Sequence, residues 1–161
     1  MLEAPRFPLT DMPKAAYGHL MQLEGLITQH VDLDLYHLIK LRASQINGCA
    51  YCLEMHTGEA LRRGERPERL TSLAAWHESP LYTDKERAAL QWTDEVTLIA
   101  DQHASREAYD ALKAEFSDEE IPWLILAVVQ INSWNRIAIS TRAQHEHAGS
   151  RAIAEKTPEP A

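Results

Sequence analysis

Apolar residues recur along this chain at intervals of three and four, and no stretch sustains an alternation of period two. That pattern predicts helices. A first helix is expected over 14–29, where Tyr17, Leu20, Leu23 (or Glu24) and Ile27 give helical spacing. Asp32 or Asp34 can cap a second, which carries Leu35, Leu38, Ile39, Leu41 and Ile46. A third follows Asn47-Gly48 and is expected to run to Gly64, a residue suited to helix termination. Pro67 suits the first turn of a fourth, which should end before Pro80. Two capping-box patterns come next. Thr83-Asp84-Lys85-Glu86 should open a helix carrying Ala89, Leu90, Trp92, Thr93 and Val96. Ser117-Asp118-Glu119-Glu120 should open the last long helix toward Arg142, with a shorter helix over 105–115 between them. The expectation is an all-α fold of about seven helices in one domain over 1–144. The polar, proline-containing stretch 145–161 reads as a frayed tail.

Composition supports the helical reading, since Ala, Leu and Glu dominate and Val occurs four times. A length of 161 residues suits one domain with a real core. The net charge of −8, with no basic cluster to offset it, argues against nucleic-acid or anionic-membrane partners. The first residues lack the apolar core of a signal peptide, and "IPWLILAVVQI" is too short to span a bilayer. A cytoplasmic protein is expected.

The two cysteines of the chain, Cys49 and Cys52, stand in "QINGCAYCLEMHTGEA", seven and four positions before His56. At 100° per residue, Cys49, Cys52 and His56 fall at about 0°, 300° and 340°, within one arc of roughly 60°. Cys52 and His56 are i and i+4, so the imidazole can take the thiol proton or stabilise the thiolate, the reactive form. Gly48 and the free amides of a helix start favour a thiolate at Cys49. Three readings fit these residues: small buried hydrophobes beside a core histidine, part of a zinc site, or a redox pair. Three residues on one face weaken the first. Zinc lacks a second pair of ligands at comparable spacing, since His145 and His147 lie in the tail. A structural disulfide closing so short a loop would stabilise little, which leaves a catalytic dithiol as the favoured reading. No metal or cofactor is expected.

A faint internal repeat aligns "KLRASQINGCAYC" with "ILAVVQINSWNRI", matching Gln45-Ile46-Asn47 to Gln130-Ile131-Asn132. Read as a duplication, it makes the QIN segment a structural turn at the end of each apolar run, with the cysteines added to the first copy. Chance matching of three residues stays open.

At "LIKLRASQINGCAYCLEMHTGEALRRGE", "RLTSLAAWHESPLYTDKERAALQWTDEVT" and "INSWNR" the chain resembles the AhpD-like alkylhydroperoxidase family, within the carboxymuconolactone decarboxylase superfamily. The resemblance covers roughly 20–142. It implies an all-helical fold with the CxxC at the start of a central helix, assembled as a homo-oligomer (dimer, trimer or hexamer). It further implies reduction of hydroperoxides by a CxxC pair that cycles between dithiol and disulfide, with a thiol or lipoyl-bearing protein returning the electrons. By this resemblance Cys52 is the peroxide-attacking thiolate, Cys49 the resolving thiol and His56 the proton acceptor.

The chain departs from the family pattern at two positions. The relay carboxylate of the family stands twelve positions before the first cysteine, where this chain has His37. An imidazole cannot stabilise the His56 cation as a carboxylate would. His37 could instead lower a thiol pKa directly, Asp34 could substitute one turn earlier, or His37 could simply fill a helix–helix contact. The second departure is Tyr51, where the founding member has a histidine between its cysteines. Glu54 falls at about 140°, opposite the cysteine face, and is discounted as the missing carboxylate. Trp76, Trp92, Trp123 and Trp134 are expected in the core or at a subunit interface, and Asn132 and Asn135 near the repeat turn, satisfying backbone groups. His77 and His103 read as solvated surface residues. The expected function is a thiol peroxidase or disulfide reductase in antioxidant defence. A muconolactone-type decarboxylase and a non-enzymatic redox or scaffold oligomer are the alternatives.

Overall fold

The computed structural model describes residues 4–145, and among them there is no strand. Eight helices follow in order: α1 (Lys14–His30), α2 (Leu33–Asn47), α3 (Ala50–Arg62), α4 (Pro67–Ser72), α5 (Asp84–Thr97), α6 (Ile99–Gln102), α7 (Arg106–Glu115) and α8 (Ile121–Thr141). Short 3-10 turns cover Leu9–Asp11 and Leu73–Ala75. Seven of the helices are those the hydrophobic spacing predicts. The eighth, α6, is a single turn ended by His103 at φ 57°, too short to leave a periodic signal.

The start signals act largely as read. Asp32 Oδ1 accepts the backbone N–H of Asp34 and of Leu35, at 3.1 and 3.0 Å, and so caps α2. Thr83 and Glu86 complete a reciprocal capping box on α5. The second box forms its bonds too, Glu120 N to Ser117 Oγ at 3.2 Å and Ser117 N to Glu120 Oε2 at 2.8 Å. It closes a turn ahead of α8, which begins at Ile121 with Pro122 inside its first turn.

Helix α2 is the centre of the molecule and packs on α3, α5 and α8. Its residues Leu35 through Leu41 are all buried, so it has no solvent face over nearly two turns. The larger core joins α2 to α1, α5, α7 and α8 through residues such as Ile27, Tyr36, Ile39, Leu112, Val128 and Ile131. A smaller one sets Leu38 and Leu41 of α2 against Ala60, Leu73, Trp76, Tyr82 and Leu90. Each fully buried aliphatic side chain contributes roughly 1.5–3 kcal/mol. Arg42 binds both oxygens of Asp94, at 2.5 and 2.8 Å, and pins α2 to α5.

The QIN repeat requires a correction. Asn47 ends α2, and Gly48 follows in the left-handed region at φ 69°, where a side chain would be strained. Asn132, by contrast, lies in the middle of the continuous helix α8. The second copy is therefore no turn; without a glycine after its asparagine, the helix simply continues. Apart from His145, the segment assigned to the tail lies outside the described residues.

Candidate active site

The α2–α3 junction sets the two sulfurs. Gly48 reverses the chain, its N–H reaching Gln45 O and Ser44 O. Cys49 then stands as the N-cap residue of α3, and its Sγ accepts the backbone N–H of Cys52 at 3.3 Å. The two cysteines are joined in a disulfide, with Cα atoms 5.4 Å apart. Both are almost fully buried, and Ala138 of α8, Tyr51 and Ala143 pack around them. His145 stacks on the Tyr51 ring with centroids 3.8 Å apart, and its Nε2 donates to Tyr51 O at 2.9 Å.

A cavity of about 260 Å³ opens beside α3. Cys52 and His56 lie in its wall, whereas Cys49 does not. Apolar side chains from four segments enclose it: Leu9, Tyr17 and Met21, Met55, and Trp134 with Ile137. This corrects one expectation, because Trp134 forms cavity wall as well as packing against the core. Its indole N–H donates to Glu24 Oε2 at 3.0 Å, and the Tyr36 hydroxyl donates to the same oxygen at 2.9 Å. Burial, reinforced by Glu24, pushes the Tyr36 hydroxyl far above its ordinary range, so it stays a donor.

At the polar end of the cavity, α1, α2 and α3 converge. Glu59 Oε2 lies 2.8 Å from His56 Nδ1, 3.5 Å from His37 Nε2 and 3.7 Å from Lys40 Nζ. Lys40 also approaches Glu24 Oε1 at 3.8 Å. Hydrogen bonds from His37 and then His56 outweigh desolvation and hold the Glu59 carboxyl well below the usual carboxylate range. Burial is the largest influence on His56 and lowers its pKa, although Glu59 opposes the shift. A neutral His56 therefore keeps its proton on Nδ1, facing Glu59, and its lone pair on Nε2. Among the described residues that buried Nε2 has no hydrogen-bond partner. Burial likewise lowers the Lys40 pKa, against the pull of Glu24 and Glu59.

The structure thus brings Cys49, Cys52, His56 and His37 into one region. His37 donates from Nδ1 to Leu33 O at 2.7 Å and turns Nε2 toward Glu59. Asp34 does not substitute for a relay carboxylate: it is solvent-exposed and paired with Arg63 at 2.8 Å. Glu59, Lys40 and Glu24 are the residues that sequence reasoning missed. Glu59 was within reach of the wheel arithmetic that discounts Glu54, since it falls at about 280°, beside Cys52 and His56. Lys40 and Glu24 carry no such signal, because a charge within an apolar helical run does not announce a buried partner. Among the described residues, no group of three or more His, Cys, Asp or Glu side chains could hold a metal ion.

A family model described as the carboxymuconolactone decarboxylase family matches residues 14–95. The chain belongs to the carboxymuconolactone decarboxylase family. Within it, the chain is 43% identical over 122 residues to the uncharacterized protein YdfG of Bacillus subtilis (strain 168), spanning 75% of this chain and 83% of that one. A solved structure from Agrobacterium tumefaciens, a protein of unknown function named as a candidate antioxidant defence protein AhpD, superposes with a TM-score of 0.86. It is 41% identical, over 89% of this chain and 99% of its own. The apo debrominase Bmp8 superposes with a TM-score of 0.71 at 22% identity, over 88% of this chain and 74% of its own, which extends the likeness in fold alone. The family match and the likeness to the Agrobacterium structure place the chain among AhpD-like members of the carboxymuconolactone decarboxylase family. No helix among the described residues is long and apolar enough to cross a membrane.

Proposed function

We propose that this protein is a thiol-dependent hydroperoxide reductase, a peroxidase-type enzyme of antioxidant defence. One observation carries the reading: Cys52, joined to Cys49, shares a cavity wall with His56, whose Nε2 has no partner among the described residues and can accept a proton. In the reduced protein His56 takes the Cys52 thiol proton. The Cys52 thiolate attacks one oxygen of the hydroperoxide, the O–O bond breaks, and the leaving alkoxide takes the proton back from His56. Cys52 is left as a sulfenic acid. The Cys49 thiol attacks that sulfur, water leaves, and the disulfide forms. An external dithiol, such as a lipoyl-bearing protein, returns two electrons and restores both thiols.

The geometry favours Cys52 for the peroxide, since the cavity reaches it and does not reach Cys49. Cys49 is suited to be the better leaving group, because a thiolate there accepts an amide hydrogen bond at the start of α3. The decarboxylase alternative gains no comparable support. Lys40 is flanked by Glu24 and Glu59, so that part of the wall offers little positive charge to an acidic substrate. Exposed apolar side chains on α1 (Met21, Leu26) and α8 (Val129, Ile139) support a homo-oligomer, whose size sedimentation would measure.

The test is dithiol-dependent peroxide consumption by the wild type, Cys49→Ser, Cys52→Ser and His56→Ala. Turnover is expected in the wild type, with loss in Cys52→Ser and a severe reduction in His56→Ala. Without added dithiol, reduced Cys49→Ser should consume one equivalent of peroxide and stop at the sulfenic acid. A wild type that consumes no peroxide would overturn the reading, and full activity in Cys52→Ser would overturn the choice of nucleophile.

A further inference from the structure

The His56 ring is held at one nitrogen and free at the other. Its Nδ1 lies 2.8 Å from Glu59 Oε2, and its Nε2 has no partner among the described residues. We propose that Glu59 is the positioning carboxylate of this site. It fixes His56 in the Nδ1–H tautomer, so that the Nε2 lone pair is the acceptor, and it does so from α3 rather than from position 37 on α2. This inference deepens the peroxidase reading and rests on it for its kinetic consequence.

Three features argue that the contact is built rather than incidental. Glu59 lies one turn beyond His56 on the same helix, so backbone geometry alone keeps the two side chains in register. Its carboxylate is held from outside α3 as well, by His37 Nε2 at 3.5 Å and Lys40 Nζ at 3.7 Å, both on α2. The His37 ring is itself fixed by its Nδ1 bond to Leu33 O. His37 thus stands where the resembled pattern has a carboxylate and pairs instead with a carboxylate supplied by α3. Burial of the His56 side chain to 5% exposure gives tautomer choice its weight, since water cannot supply the missing donor or acceptor.

The charged and titratable groups facing this imidazole are Glu24 from α1, Lys40 from α2 and Glu59 from α3, and His37 of α2 pairs with Glu59. Helix α8 gives Trp134, Ile137 and Ala138 to the wall. Of these groups, Glu59 hydrogen-bonds the ring directly and stabilises its cation. Removing the charge should therefore weaken the base, lowering the rate and moving the acid limb of its pH profile to lower pH.

Two measurements decide the matter. In kinetics, Glu59→Gln should lower peroxide reduction at least about tenfold, the scale of a general base that has lost its orienting partner, and displace the acid limb downward. Glu59→Gln combined with His37→Glu should recover much of the loss, because residue 37 reaches the Glu59 carboxylate and can return a charge to the Nδ1 side of the ring. In nitrogen NMR of the reduced protein, His56 should be protonated at Nδ1 in the wild type. In Glu59→Ala it should redistribute toward Nε2–H. If wild-type His56 carries its proton on Nε2, the inference is wrong, whether or not the protein consumes peroxide. If peroxide is consumed and Glu59→Gln keeps both rate and pH profile, it is wrong as well. A wild type without peroxide turnover but with the Nδ1–H tautomer lost in Glu59→Ala would sink the peroxidase reading and leave the role of Glu59 standing. Should Glu59→Ala not fold, the wild-type tautomer and the double-variant rescue still decide.

Discussion

The side-chain amide of Asn47, the last residue of α2, donates to Asn135 Oδ1 on α8 at 2.8 Å. The same amide reaches Asn132 Oδ1 at 3.0 Å, and Asn135 in turn donates to Ser44 Oγ at 2.9 Å. Asn132 Nδ2 continues the chain to Thr97 Oγ1 at 3.0 Å. Asn132 does satisfy a backbone group, Val128 O at 2.9 Å, but the two asparagines expected in that role bond mainly to the side chains of Asn47, Ser44 and Thr97. They tie the end of α2, two residues before Cys49, to the helix that covers the disulfide.

Removing Asn135 should therefore cost more than one hydrogen bond. It is fully buried, and Asn135→Ala would strip a partner from half-buried Asn47 and from buried Ser44. We expect a loss of about 2–3 kcal/mol in unfolding free energy. The disulfide should also become more accessible to small thiol reagents. Urea denaturation and the rate of reduction by dithiothreitol would check the two effects; unchanged stability would show that the cluster is not a fastening.

Far from the cavity, the α5 capping box offers a control. Thr83 Oγ1 accepts Glu86 N at 3.2 Å, while Glu86 Oε2 accepts Thr83 N at 2.8 Å. Thr83→Ala should lower stability by about 1 kcal/mol and leave peroxide turnover unchanged. A turnover loss larger than the unfolded fraction would reveal coupling between α5 and the site.

Much of this was legible before any coordinates. Caps and apolar spacing are local properties, and Asp32, Thr83 and Pro67 mark helix starts where the structure has them. The face shared by Cys52 and His56 follows from helix geometry alone. What the sequence hides is what tertiary packing decides. Whether Asn132 ends a helix depends on the residue after it, and there Ser133 lets α8 continue where Gly48 had stopped α2. Glu24 meets Lys40, and Trp134 meets Glu24, only because α1 and α8 pack against α2. Glu59 lies between these cases. Its face was calculable, but only the packing of α2 on α3 shows that His37 and Lys40 meet it there.

The reduced cysteines should differ in acidity. In Cys52→Ser the remaining Cys49 thiolate keeps the backbone N–H of residue 52 as a donor at the start of α3. Its pKa should fall below the ordinary value of about 8.5. In Cys49→Ser, the Cys52 thiolate depends on His56, which burial biases toward its neutral form. Its titration should therefore respond to His56→Ala, whereas that of Cys49 should not. Ultraviolet thiolate absorbance against pH would measure both, and identical titrations in the two serine variants would refute the asymmetry.

Acid should destabilise the protein in two steps, and the sign follows from the site. The pKa of His56 is lowered by burial from the ordinary 6.5, so the unfolded chain binds that proton before the folded one does. Stability is then highest above the unfolded value and falls as pH drops below it. The Glu59 carboxyl is also lowered, from an ordinary 4.5, chiefly by its bonds from His37 and His56, and its contribution is lost on further acidification. Glu24, His37 and Lys40 face the same cluster and remain in place in the comparison that isolates His56. His56→Asn, which keeps a side-chain donor toward Glu59, should flatten the fall immediately below pH 6.5 and leave the lower step present. Urea midpoints between pH 8 and 2 would show both steps. A wild type whose midpoint rises on acidification through 6.5 would mean that Glu59, and not burial, dominates the His56 equilibrium.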